Sequence, residues 1–389
     1  MTDQLLLAVG DIGPYRAEAP EKLFEYCADV LQRADLVFCH LDTPYSDRGS
    51  PSASRGVPRR GPPQALDALR LAGFDVVSFA SNHGMDWGVE PFLDTLVRLR
   101  EHHHVVGAGH DLDEARRPAI VELGDGTKVG FLAYCSIVMG RLSGYIADVG
   151  KPGVAPLRAR THYEPMVEML DYTPGMPART LTFAYAEDLA AMTQDISRLR
   201  RDADVIVVSQ HCGVTLIRAH IAMYQKEIAK AAIEAGAHVV LQHHAHILRG
   251  IGFHRGRPIY YGLGDFGYEA GLSTKDTVLR PGTRESKQMA ELYGALERRG
   301  EGGPYVGPEE RLYSMAARLV ISGGKVREIG YLPSKLNSAM QATVYGRTDA
   351  TGEEVFRYVE AITQEAGLNT KYAWGDDTVV AAPTDQPAD

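Results

Sequence analysis

Cysteine is scarce in this chain, basic charge has no surplus, and no apolar run is long. The four cysteines, Cys27, Cys39, Cys135 and Cys212, are scattered through 389 residues and form no C-x-x-C pair. That spacing excludes a cysteine-built zinc knuckle and a disulfide framework, and it fits a reducing compartment. Lys and Arg total 41 against 50 Asp and Glu, a formal net charge of −9. This is not the basic footprint of a nucleic-acid binder, and the dispersed acidic residues serve solubility. The apolar run at residues 5–9 has no basic residues before it. It is too short for the core of a secretion signal and far too short to span a bilayer. No later stretch reaches that length, so the chain reads as cytoplasmic, with no membrane and no nucleic-acid partner. Oligomeric state is not legible. Hydrophobic residues make up 44% of the sequence, enough at this length for a large core without cross-links.

What the sequence does contain is a repeated design: short apolar runs that stop at a polar residue. Residues 5–9 run into Gly10-Asp11, and residues 36–41 into Asp42-Thr43-Pro44. Residues 75–80 lead to Ser81-Asn82-His83-Gly84, 205–209 to Gln210-His211, and 238–242 to His243-His244-Ala245-His246. Residues 258–263 form another such run before Gly264-Asp265-Phe266. Each reads as a buried strand with a turn after it. Helical spacing marks 19–34, 63–72, 91–102, 184–201, 221–234 and 352–366. Hairpins are expected across Gly124-Asp125-Gly126 and Gly323-Gly324. Segments 46–63, 136–182 and 271–311 read as loops or insertions, and 381–389 as a disordered tail.

In open α/β sheets, ligand sites form beyond the carboxyl ends of the strands. One polar ending means little, because Asp and Asn also cap turns. Five in one chain, at Asp11, Asp42, Asn82-His83, His211 and His244/His246, point to a shared cleft. Carboxylate, amide oxygen and imidazole suit zinc, manganese or iron, and no thiolate stands among them. A carboxylate can bridge two metals, and two metals can activate one water. If the segment is extended, His244 and His246, two residues apart, point to the same side and His243 faces away. Blander readings hold elsewhere. His102-His103-His104 ends a helix, where cations are favourable without a metal. His220, His238 and His254 read as structural, Cys212 as a small buried residue rather than a nucleophile, and Arg55, Arg59 and Arg60 as a solvated loop.

The runs Ala8-Val9-Gly10-Asp11-Ile12 and His40-Leu41-Asp42-Thr43-Pro44, together with the block from Gly73 to Gly88 that holds Asn82-His83, resemble the CapA family of capsule-synthesis proteins. Gly107-Ala108-Gly109, Gln210-His211-Cys212-Gly213, His243-His244-Ala245-His246 and the stretch from Tyr261 to Phe266 extend the resemblance over nearly the whole chain. Members of that family resemble calcineurin-like metallophosphoesterases. The implied fold is a four-layer α/β/β/α sandwich with a dinuclear metal site at the strand ends. The domain reading is a metallophosphoesterase-like unit over 1–335, a helical extension over 336–380 and the tail. By resemblance, two divalent or trivalent metal ions (Zn, Mn or Fe) are held by Asp11, Asp42, Asn82, His211, His244 and His246. Asp42 stands at the bridging position. Asn82, His211 and His244 serve one metal and His246 the other. His83 faces the substrate as acid or charge stabiliser. Asp86 lines the cleft or caps the next helix, and with His83 and His40 makes the candidate catalytic set.

The departures from the family are informative. Phosphoesterases carry D-x-H at the first strand, whereas Asp11-Ile12-Gly13 has no histidine. His40 stands two residues before Asp42, so it is expected either to replace that histidine or to contact the substrate. Asp265, where the family has Asn, is expected to orient a ligand histidine. The function expected is hydrolysis of a phosphoester or related bond in a small molecule or short peptide, by a metal-bridging hydroxide. The alternatives are an amide or peptide hydrolase of γ-glutamyl type, or amide-bond enzyme, in a biosynthetic pathway, and a non-catalytic accessory protein of polymer synthesis.

Overall fold

Alternation along single strands explains the layering. In the strand Lys128–Cys135, Phe131, Ala133 and Cys135 enter the apolar layer between two sheets, while Leu132 and Tyr134 enter a separate cluster on the other face. That second cluster is completed by Met192, Ile196 and Leu199 of the helix Ala186–Leu199 and by Ile228, Ala229 and Ala232 of the helix Met223–Ala235. A strand apolar on both faces must be covered on both, here by a sheet on one side and helices on the other. On the far sheet the helix Val89–Arg100 buries Phe92, Leu96 and Leu99, one stripe of helical spacing. The result is the expected α/β/β/α order.

The computed structural model describes residues 3–52, 58–138, 145–165, 173, 177–269 and 309–384. Among these, the larger sheet has ten strands and the smaller six. In the larger, Gln4–Gly13 runs parallel to Leu36–Leu41 and antiparallel to Tyr313–Ser322, with Val76–Ser78 and His104–Val106 following in parallel. Asp265–Tyr268 also pairs in parallel with the end of Gln4–Gly13. In the smaller, Lys128–Cys135, Val205–His211, Val239–His243 and Arg257–Tyr260 are all parallel. The rings of Phe38 and Phe131 stack across the gap between sheets at 5.7 Å. The parallel strands of each sheet therefore end along one edge of the sandwich.

Several expectations change. Residues 19–34 hold no continuous helix: Pro20 opens a 3-10 turn, Pro20–Phe24, and a short helix, Ala28–Leu31, follows. Residues 136–182 contain an antiparallel pair, Ala159–Glu164 with the start of Arg179–Ala184, although 139–144, 166–172 and 174–176 lie outside the described residues. Of the expected loop 271–311, residues 271–308 lie outside them as well, as does Arg55. The C-terminal part contributes more than the helix Ala350–Glu365. Thr370–Trp374 and Val379–Pro383 pair with each other and join the larger sheet. Val379 and Ala381 alternate into the core, which draws 381–383 out of the expected tail, and 385–389 lie outside the described residues. No described helix is long and apolar enough to cross a membrane.

Gly10 lets the first strand reach the segment before Asp265. A Cβ placed there would lie 1.9 Å from the Gly264 carbonyl oxygen, and that oxygen accepts the Asp11 N–H at 3.0 Å. Gly10→Ala is expected to cost roughly 1–3 kcal/mol or more, the range for forcing atoms into a packed space. Urea unfolding of the two proteins measures it; equal midpoints would show that this approach carries no constraint.

Candidate metal centre

The first sheet brings its polar endings together by register. Asp11 is paired with His40 on one side and Asp265 on the other. The register shifts between Ala8 and Asp11, the local re-aiming that a bulge produces. Asp42 follows directly, its N–H bonded to the Ile12 carbonyl at 3.0 Å. From the second sheet come His211, the last residue of its strand, and the turn after His243.

That turn is not extended. His244 has φ 84° and His246 φ 54°, the left-handed region that a non-glycine residue occupies only when its surroundings enforce it. The enforcing contacts are visible: the His244 N–H donates to Asp11 Oδ2 at 3.0 Å, and His246 Nδ1 meets Asp265 Oδ1 at 2.7 Å. Two left-handed residues, not strand alternation, turn both imidazoles to the cluster. His243 does not face away either. It pairs in register with His211 and lies in the inter-sheet layer, its ring 4.9 Å from that of His40.

The six residues expected as ligands meet in one place. His211 Nε2 is 2.7 Å from Asn82 Oδ1, 3.2 Å from His244 Nδ1 and 3.6 Å from Asp42 Oδ1. His246 approaches Asp11 Oδ2 to 3.8 Å through Nδ1 and Asp42 Oδ2 to 3.9 Å through Nε2. Each of these carboxylates thus turns one oxygen to His211 and the other to His246. His40 Nε2 lies 3.8 Å from both Asp11 Oδ1 and Asp42 Oδ1. Donor atoms of Asp11, His40 and His211 lie within 4.8 Å of one another, as do those of Asp11, His246 and Asp265.

Burial and mutual charge set the protonation of the cluster. Burial, with Asp42 and Asp265 nearby, pushes the Asp11 carboxyl well above the ordinary range. Burial acts the same way on Asp42, but His83, His40, His211 and His246 outweigh it and hold Asp42 well below. Burial, aided by the other imidazoles, drives His211 far below its usual value and His244 down to about 3. His40 is lowered too. Imidazoles kept neutral retain the lone pairs that metals need. Buried polar atoms normally have partners, yet among the described residues Asp11 Oδ1, His40 Nε2 and His211 Nδ1 are buried with no hydrogen-bond partner. These donors fit a pair of borderline divalent cations.

Around the cluster lie residues the sequence did not single out. Ser81 donates to Asp42 Oδ1 at 2.5 Å and Tyr268 to Asp42 Oδ2 at 2.8 Å. Thr215 Oγ1 is 3.1 Å from His244 Nε2, and Arg311 donates to Asp265 Oδ2 at 2.7 Å. Ser81 stands in the block that holds Asn82-His83, whereas Thr215, Tyr268 and Arg311 are common residue types with no motif, found only through tertiary contact. His83, partly exposed, is held at Nδ1 by Asp86 Oδ2 at 2.6 Å, and Asp86 is fully buried. Asp86 therefore meets His83 rather than the open face. His40 is completely enclosed, stacked 4.3 Å from His211, which removes the expectation of substrate contact. Outside the site, His103 bonds the Phe74 carbonyl, His238 accepts from the Ile206 N–H and His254 meets Glu234. Burial pushes the Cys212 thiol far up, which leaves it inert.

Comparison with known proteins identifies relatives of this chain. The family described as bacterial capsule synthesis protein PGA_cap matches residues 6–269. The chain is 26% identical over 290 residues to the PGA biosynthesis protein CapA of Bacillus subtilis, covering 72% of this chain and 67% of that protein. It is 28% identical over 232 residues to a probable polyglutamine synthesis accessory protein of Mycobacterium tuberculosis, covering 59% of this chain and 55% of the other. The chain thus spans about two thirds of one relative and about half of the other. A solved structure described as a novel phosphatase of Mycoplasma pneumoniae superposes with a TM-score of 0.45 at 12% identity, covering 86% of this chain and 94% of that one.

The buried imidazoles set a pH dependence for the cation-free protein. An unfolded histidine titrates near pH 6.5, whereas His40, His211, His243 and His244 titrate lower when folded. As pH falls below about 6.5 the unfolded chain takes up protons that the folded one refuses, so stability drops. Asp11, raised when folded, opposes this but is one group against four. Chelator-treated protein should therefore lose melting temperature between about pH 7 and about pH 5, and manganese or zinc should restore it. A flat profile in the thermal scans would contradict burial of neutral imidazoles.

Proposed function

The chain belongs to the bacterial capsule synthesis protein family, and from that premise we propose that it is a metal-dependent hydrolase. The observation that carries this reading is the meeting of Asp11, Asp42, Asn82, His211, His244 and His246 in one cluster of imidazole, amide and carboxyl groups at the sheet edge. Asn82, His211 and His244 would hold one cation, Asp11 and His246 a second, and Asp42 would serve both through its two oxygens. His40, beside both carboxylates, takes the place of the missing first-strand histidine. When bound, zinc, manganese or iron would acidify a water and offset charge developing on the reacting group.

The remaining work falls to the chain itself. Asp265 at His246 Nδ1 turns Nε2 of that ring inward, and Thr215 at His244 Nε2 turns Nδ1 inward. His83, anchored at Nδ1, keeps Nε2 for the leaving group, to which it donates a proton. Asp86 is its positioning residue. The leading substrate is a phosphoester of a small molecule. A γ-glutamyl-type amide is the second reading, favoured by the polyglutamine and capsule names of the relatives.

His244→Ala is expected to lower bound metal per chain and abolish turnover; full activity in that variant would end the hydrolase reading. His83→Gln should keep its metal while kcat falls on the order of 10²–10⁴-fold, the usual contribution of a positioned proton donor. Nitrophenyl phosphates against γ-glutamyl nitroanilides separate the two bonds. Bound metal without turnover on either panel would favour an accessory protein instead.

A further inference from the structure

Arg59 reaches the centre from a loop that its sequence alone marks as solvated. Its backbone N–H donates to Asp86 Oδ2 at 2.9 Å, the same oxygen that holds His83. Its guanidinium NH1 donates to the Tyr268 hydroxyl, which itself donates to Asp42 Oδ2. The Arg59 head group lies 5.3 Å from the centre of the Tyr268 ring. It therefore stands between the candidate proton donor and the carboxylate that spans the cluster.

The neighbouring arginines are otherwise engaged. Arg311 is bound to Asp265, and Arg60 stacks 3.7 Å over Trp87 and donates to the Arg48 carbonyl. Among the described residues, no carboxylate pairs with Arg59, and only one of its five guanidinium N–H groups has an acceptor. The guanidinium fork matches the oxygens of phosphate and carboxylate. A half-buried guanidinium with spare donors, fixed by its own backbone to the His83–Asp86 pair, is built to meet an anion at the reacting centre.

We propose that Arg59 binds an oxyanion of the substrate, so that the site selects compounds carrying a phosphate or carboxylate beside the bond to be cleaved. The assignment rests on the hydrolase reading for its meaning, but its test does not depend on turnover. Calorimetry with manganese-loaded protein would measure binding of two probes, inorganic phosphate and glutarate. In Arg59→Met, affinity for at least one probe should fall on the order of tenfold or more, the loss expected for a charge-assisted hydrogen bond. Arg59→Lys should recover part of it, metal per chain should not change, and Arg60→Met should bind as the parent does. The probe that loses affinity identifies the oxyanion. Unchanged affinity for both probes in Arg59→Met overturns the assignment, as does failure of the parent to bind either. Loss of metal in that variant overturns it too, because Arg59 would then merely support Tyr268 and Asp42. Absence of turnover on every substrate would count against the hydrolase reading and leave the measured oxyanion binding intact.

Discussion

One carboxylate ties the two sheets together at the site. Asp11 leaves the end of a strand in the larger sheet, and its Oδ2 accepts the backbone N–H of His244, the first residue past a strand of the smaller sheet. The bond is enclosed, where a hydrogen bond is stronger than in water. It fixes the residue that must adopt φ 84°. The ring of the same residue is held by Thr215 and lies beside His211. The other Asp11 oxygen stays within the cluster without a hydrogen-bond partner. A single side chain thus sets the backbone of the opposing sheet and keeps an acceptor for the centre.

Such an arrangement is costly before any cation binds. Three carboxylates, Asp11, Asp42 and Asp265, and five imidazoles, His40, His211, His243, His244 and His246, crowd one enclosed space. Two backbone residues are strained, each at a cost of about 1–3 kcal/mol. The large apolar layers on either side offset this. Phe38, Phe131, Val207 and Leu241 continue the inter-sheet core directly beneath the polar cluster. The rigidity of that core keeps the donors from collapsing into private pairs, so that several remain unsatisfied and available.

The sequence made the architecture readable because parallel strands buried on two faces appear as short, nearly unbroken apolar runs. The polar residue ending each run marks the sheet edge, and for Asp11, Asp42, Asn82, His211, His244 and His246 the fold brings those marks together. Less was legible wherever the cause is tertiary. Val379–Pro383 has a Pro and a polar surrounding, and its pairing follows from the strands Thr370–Trp374 and Lys325–Leu336 on its two sides. Thr215, Tyr268 and Arg311 are unremarkable in sequence and gain their place from tertiary contacts. His243 was misjudged because alternation was carried past the strand end, where the left-handed residues break it.

His40 shows how a departure from a family pattern is absorbed. The first strand ends Asp11-Ile12-Gly13, without a histidine, but its register partner in the next strand is His40. A parallel neighbour can therefore deliver an imidazole to nearly the same position from a different part of the chain. The substitution has a structural consequence: His40 lies between His211 and His243, rings nearly parallel, with Ser78 on Nδ1. That sandwich leaves His40 fully enclosed, whereas His83 is partly exposed.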